Sequence, residues 1–252
     1  FGSSMPDTTV TAVISGVAQP LPVVSVDHGQ IVCVSPTGEG TDNTLSVTIS
    51  GQTSNSLPFS FGPPVIDSMD INHGPTEGGT LVTLTGQNFG LAPAVTLGGT
   101  NCPLNGNSHT QISFYTPQGQ GTGLPVIVAV AGQTSNAVPF SYDAPVINNI
   151  EPSIGPTGGG TTVFLTGINF GASGTIMFNG SPVASQTWTN TLVSFLTPSG
   201  EGISLPVFMT VGGQTSNVVS FSYSPPVINA INPAGGRTEG GYPVTLSGSS
   251  FG

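Results

Sequence analysis

Gly51-Gln52-Thr53-Ser54-Asn55 returns unchanged as Gly132-Gln133-Thr134-Ser135-Asn136 and again as Gly213-Gln214-Thr215-Ser216-Asn217. Each return comes 81 residues after the last, and other signals keep that interval. Pro36-x-Gly38-x-Gly40 recurs at Pro117 and Pro198, the aromatic-Ser-aromatic run at Phe59 recurs at Phe140 and Phe221, and Pro64-Val65-Ile66 recurs at Pro145 and Pro226. An interval held over so many positions means that one folding unit is repeated, and the repeat must be fixed before any residue is given a chemical role. At roughly 80 residues, a copy lies near the lower limit for a domain that builds its own core, so neighbouring copies are expected to lean on each other.

Within residues 63–143, short apolar runs alternate with Gly, Pro and Asn punctuation, the spacing expected of an all-β sandwich. The expected strands are 65–71, 80–86, 94–97, 111–115, 126–131 and 137–142, with a short extra piece near Cys102. Gly and Pro supply 37 and 23 residues of 252, which disfavours helices. Because successive strand residues face opposite sides, the repeated apolar alternation picks out the interior. Val82 and Leu84, Val163 and Leu165, and Val244 and Leu246 should point inward on the second strand. Leu45, Val47 and Ile49, Val126, Val128 and Val130, and Val207, Met209 and Val211 should do so on the penultimate one. Ile127, Phe164 and Phe208 fall on outward positions and are candidate interface residues under a neighbouring copy or chain. Trp188, the single tryptophan, either stacks on a sugar or caps the core.

Arg237 is the only Lys or Arg, against 11 Asp and Glu. Phosphate neutralisation by basic side chains supplies most nucleic-acid affinity, so a nucleic-acid partner is excluded, and with it a polybasic attraction to anionic membrane. No apolar stretch has membrane-spanning length. A surface covered with Ser, Thr, Asn, Gln and Gly has little charge repulsion to keep it soluble, a role attached sugars can take instead. Asn179-Gly180-Ser181 is the one N-glycosylation sequon, though Pro182 follows it. Ser35, Thr76, Thr116, Thr157 and Thr197 stand beside or near proline and are candidate O-glycosylation sites; turn geometry explains them equally well. Cys33 and Cys102 occupy different places in the repeat, so they form no disulfide framework. A bridge between copies or chains stays open beside a buried free thiol.

The three imidazoles, His28, His73 and His109, do not recur at the repeat interval, and there is no nucleophile elbow or phosphate loop. The chain is therefore read as a non-enzyme without cofactor. Glu77 matches Glu239 and Glu39 matches Glu201, but Gly158 and Gln120 interrupt the two series. A repeated calcium site would need several converging oxygens, so these are read as solvated turn residues.

The segments Pro64–Gly90 and Pro145–Gly171 share a proline-led strand, a Gly-Pro turn, Gly-Gly-Thr or Gly-Gly-Gly-Thr entering the next strand, and Gly-x-Asn-Phe-Gly. With Thr116-Pro117 and Thr197-Pro198, they resemble the IPT or TIG domain, the immunoglobulin-like fold shared by plexins and transcription factors. The third opening, Gly236-Arg237-Thr238 to Phe251, is a looser copy. The resemblance implies tandem immunoglobulin-like β-sandwiches joined by stiff proline linkers into a semi-rigid rod. It also implies the extracellular repeat branch of the family, whose roles are adhesion, receptor stalks and carbohydrate-associated surface proteins, since the DNA-binding members use basic loops absent here.

In the repeat frame, 63–143 and 144–224 are expected to be whole copies. Residues 1–62, opening on Phe1-Gly2, lack the first two strands, and 225–252 supply only those two. The chain is either a window of a longer array, or the last strands of one molecule complete the first half-copy of another. Phe1 to Pro36 spans seven residues more than Phe89 to Pro117, placing an insertion around Pro6–Ala12 or Ala18–Val23. The expected function is an extracellular or cell-surface structural protein building a fibre by head-to-tail continuation, with covalent glycans as an open addition. The alternative is an adhesin or receptor stalk that binds carbohydrate or protein through its loops.

Overall fold

The structure is a computed structural model that describes residues 7–252. The expected Phe1-Gly2 element end and the Pro6 edge of the insertion lie outside the described residues. Every regular element among the described residues is a β-strand. The chain divides into two compact units, one comprising 7–73, 78–117 and 123–140, the other 74–77, 118–122 and 141–252.

The third copy shows the plan most fully. One sheet runs Val146–Glu151, Thr162–Ile168, Leu192–Leu196, Ser185–Trp188. The other runs Ile154–Gly155, Val219–Tyr223, Leu205–Val211, Thr175–Phe178, Ser181–Val183. The chain thus starts in one sheet and switches to the other at Ile154, where it pairs parallel to Ser222. Between the sheets lie Val163, Leu165, Val207, Met209 and Val211, the alternate residues expected to face inward. Around them Tyr223 packs edge to face with Phe178 and Phe221, which are tilted against each other, with ring centroids 5.4 to 6.2 Å apart.

The second copy repeats this plan. Its strands Val65–Met69, Leu81–Gln87, Gln111–Tyr115 and Leu104–Asn107 form one sheet; Thr100–Asn101, Ala94–Leu97, Leu124–Val130 and Val138–Tyr142 belong to the other. The expected strands lie within two residues of these; Leu104–Asn107 was not expected, because its polar sequence carries no alternation.

The repeated Gly-Gln-Thr-Ser-Asn is explained part by part. Its glycine sits at φ +81° in one copy and +83° in the next, a turn conformation that disfavours other residues. The serine hydroxyl accepts from the main-chain N–H of Val128 or Met209 and donates to the following Asn carbonyl. The asparagine bonds main chain with both ends of its amide. Asn217 Oδ1 accepts from Ile147 N at 2.7 Å while its Nδ2 donates to Ile147 O at 2.9 Å, and Asn136 does the same with Ile66. One side chain therefore fastens the first strand of its copy to the loop that follows the penultimate strand.

In the first copy Thr8–Ile14 pairs with Asn43–Ile49 on one side and Val17–Leu21 on the other. Val10 stands opposite Val47, the place Val95 takes opposite Val128 one repeat later. Leu21 lies across from Val10, as Cys102 bonds back to Val95. Val10 to Leu21 is four residues longer than Val95 to Cys102, so four of the seven extra residues lengthen this hairpin about Ser15-Gly16. That turn lies between the two windows expected for the insertion; pairing register, invisible in the sequence spacing, decides it.

Val227–Asn232 and Thr245–Ser249 form a two-stranded sheet with the same register and bulge as the opening hairpin of the third copy. Val244 and Leu246, expected inward, are about half exposed there.

Candidate functional site

The Pro-x-Gly-x-Gly turn, read from the sequence only as a marker of the repeat, is the contact point between successive copies. Its first glycine lies against the last aromatic of its own copy: a Cβ at Gly38, Gly119 or Gly200 would overlap or crowd the ring of Phe61, Tyr142 or Tyr223. Its second glycine has positive φ, +84° at Gly40. The residue between the two is thereby turned outward.

At the joint in the first unit, Glu39 Oε2 accepts a hydrogen bond from the Leu91 main-chain N–H at 2.8 Å. Gly90, the end of Gly-x-Asn-Phe-Gly, has φ +66°, and a Cβ there would collide with this carboxylate and with Val130. Gly40 packs against Ala131, and Gln133 Nε2 donates to Phe61 O at 3.2 Å. Thus the motif ending Asn-Phe-Gly and the one beginning Gly-Gln meet the end of the preceding copy.

The joint in the second unit has the same plan and more bonds. Gln120 Oε1 accepts from Ala172 N at 2.9 Å and from Ser173 N at 3.4 Å, and its Nε2 donates to Ser173 O at 3.1 Å. A Cβ on Gly171 would strike Gln120, and one on Gly212 would strike Gly121. Thr76 adds two further bonds, from its N–H to Asn169 Oδ1 at 3.2 Å and from its hydroxyl to Asn190 Oδ1. Asn169 is held at φ +61°, a conformation asparagine tolerates better than most residues, and is buried. At the corresponding place further along the chain Glu201 Oε2 lies 3.3 Å from the position of a Cβ on Gly252, a looser approach than at the other two. Thr157, Ile203, Tyr223, Pro226 and Phe251 line a cavity of about 470 Å³ beside it.

Glu39 and Gln120 are therefore not only solvated turn residues, as the broken Glu series suggested. The missed signal was the frame around them: a fixed Gly-x-Gly whose centre stays polar, one repeat after another.

The structure separates the candidate glycosylation positions. Thr76, Thr116 and Thr197 are buried. The Thr116 and Thr197 hydroxyls accept from the Thr80 and Thr161 N–H groups at 3.0 and 3.1 Å, so a sugar on any of the three would displace a formed bond and its packing. Ser35 is exposed and Thr157 half-buried. Asn179 is exposed at the tip of the Thr175–Phe178 and Ser181–Val183 hairpin, with φ +47° followed by Gly180 at +81°. Of the interface candidates, Phe164 is 43% exposed between Glu151 and Ser194, while Ile127 and Phe208 are half-buried opposite Thr96 and Met177. The joints are built from other residues.

Trp188 packs against the core, and its Nε1–H donates to Phe170 O at 2.8 Å. Cys33 and Cys102 are free thiols. Cys102 fills the core slot that Leu21 fills in the first copy, and burial pushes its thiol up to about 11. Among the described residues no three His, Cys, Asp or Glu converge as a metal site, and no helix is long and apolar enough to cross a membrane.

The family model of the IPT/TIG domain matches residues 64–142 and 145–223. Among solved structures, the chain is similar to the plexin A4 extracellular region, domains 1 to 8, at 19% identity and TM-score 0.33, over 87% of this chain and 31% of that one. It is similar to a surface glycan-binding protein from Prevotella bryantii at 12% identity and TM-score 0.44, over 64% of this chain and 42% of that one. A third likeness, at 22% identity and TM-score 0.29, is to a protein from a complex xyloglucan utilization locus in Bacteroides uniformis, over 64% of this chain and 50% of that one.

Proposed function

The chain belongs to the IPT/TIG domain family, and from that premise we propose that it is an extracellular, non-enzymatic structural repeat protein that builds a surface fibre by head-to-tail continuation of its copies. The proposed division is a partial copy over 1–62, whole copies over 63–143 and 144–224, and the opening strands of another over 225–252. One observation carries this reading. The Pro-x-Gly-x-Gly turn meets the Asn-Phe-Gly element of the following copy at Glu39 and again at Gln120, and Glu201 lies near the corresponding Gly252. Contacts repeated head to tail, using different surfaces on the two partners, do not close on themselves and generate open linear arrays. Ile127, Phe164 and Phe208, on the outer sheet faces, are the positions assigned to lateral contact. Asn179, Ser35 and Thr157 are the accessible positions assigned to covalent glycans on a surface with almost no charge.

Negative-stain imaging of the purified protein tests the reading: long uniform fibres at low concentration are expected. Discrete short rods that bind a glycan array would replace it with the adhesin or stalk alternative. Glycopeptide mass spectrometry should find sugar, where present, on Asn179, Ser35 or Thr157 and none on Thr76, Thr116 or Thr197.

A further inference from the structure

We propose that the residue between the two glycines of the Pro-x-Gly-x-Gly turn is the recognition residue of the joint, matched to the loop it meets: a carboxylate where the loop bonds it through a main-chain N–H alone, a carboxamide where the loop bonds it through both N–H and C=O. This assignment stands whether or not the array forms a fibre.

The match is visible in the bonding of the two loops. At the Glu39 joint the loop bonds the carboxylate through Leu91 N–H alone; the Leu91 carbonyl is held by Asn107 Nδ2 at 3.1 Å within its own copy, and Ala92 is the counterpart of Ser173. An acceptor-only side chain suffices. One repeat later the position of Asn107 is occupied by Trp188. Its indole N–H bonds Phe170 O instead, and its ring covers Gly174, where a Cβ would strike it. The loop here carries Gly174 in place of Pro93. It presents two N–H groups and the Ser173 carbonyl to Gln120, which both accepts and donates.

Glu39 with its one N–H contact and Gln120 with its N–H and C=O contacts thus form the two matched pairs. A carboxylate at position 120 would place an oxygen opposite the Ser173 carbonyl, acceptor against acceptor, with no proton between them. A carboxamide at position 39 costs little, because its NH₂ reaches solvent. The rule therefore predicts an asymmetric response to the two exchanges.

Amide-proton exchange of the 252-residue chain, followed by NMR and normalised to intrinsic rates, tests it. Gln120→Glu at neutral pH is expected to lower the protection of Ala172 and Ser173 about tenfold, on the scale of one lost hydrogen bond. Glu39→Gln is expected to change Leu91 protection less than about twofold on the same scale. Below about pH 4, near the ordinary glutamic acid value, the Gln120→Glu side chain regains a proton to donate to Ser173 O and the protection should return. Core amides such as Leu165 report that the fold is intact. Should Gln120→Glu not fold, Gln120→Met, of similar shape without donor or strong acceptor, should show the same loss, and without recovery at low pH. Wild-type protection at Ala172 in these variants, equal losses from the Glu39 and Gln120 exchanges, or no recovery of Gln120→Glu in acid would each overturn the proposal.

Discussion

The opening hairpin of the third copy and the hairpin at 227–249 share register, bulge and most of their apolar residues, yet one is core and the other is surface. In both, the first glycine of the Gly-x-x-Phe-Gly run faces the first strand so closely that a Cβ would overlap a carbonyl, Val146 O in one and Val227 O in the other. Phe170 is fully buried where Phe251 is 53% exposed, and Ile147 is 3% exposed where Ile228 is 53%. The first hairpin faces a second sheet; the other stands as a two-stranded sheet. Hairpin geometry is set locally by glycine, turn and alternation, whereas burial depends on strands some 30 to 75 residues further along the chain. A two-stranded hairpin is marginal by itself in water, so the apolar alternation of 227–249 is informative only as half of a sandwich.

The sharpest way to break this comparison is at the paired phenylalanines. Phe170→Ala should destabilise the chain to denaturant by about 3–5 kcal/mol, the usual cost of emptying a packed aromatic site. Phe251→Ala should change it by less than about 0.5 kcal/mol while the chain is monomeric. Equal costs would mean that another chain covers the second hairpin, as head-to-tail assembly requires.

A smaller contrast concerns the repeated asparagine. Asn217→Ala removes both bonds to the Ile147 main chain and should cost about 1–3 kcal/mol, because the Ile147 groups lose their partner in a half-buried place. Asn55→Ala, at the exposed equivalent in the first copy, should stay within about 0.5 kcal/mol in the same denaturation experiment.

The smallest effect is expected at the thiols. Cys33 is half-buried and should react with maleimide in the native chain, whereas buried Cys102 should react only after unfolding. Burial raises the folded Cys102 thiol to about 11 from the ordinary 9.0, so above pH 9 the unfolded state loses its proton first. Stability should be flat in this respect below pH 9 and fall as pH rises from 9 to about 11; Cys102→Val should abolish that part of the decline. An unchanged decline in Cys102→Val would assign it to other groups.

Much of this was legible in the residues. Alternation marked Val163, Leu165, Val207, Met209 and Val211 as interior, and tertiary packing buries all five. Thr76, Thr116 and Thr197, beside prolines, fitted O-glycosylation and turn geometry equally well. Their hydroxyls instead serve main-chain and side-chain groups 36 to 114 residues away. No local signal separates such a threonine from one that faces solvent.

The four extra residues of the first hairpin show the same limit: spacing counts them, and only strand register locates them at Ser15-Gly16. By itself the sequence determined the repeat, the strands and their inward faces, because periodicity and turn chemistry act over a few residues. Only the tertiary structure decided which alternating faces are covered and which threonines are buried. It alone also showed that the polar centre of Pro-x-Gly-x-Gly binds the next copy. Those outcomes depend on long-range docking of main-chain groups, which carry no side-chain identity for a sequence to display.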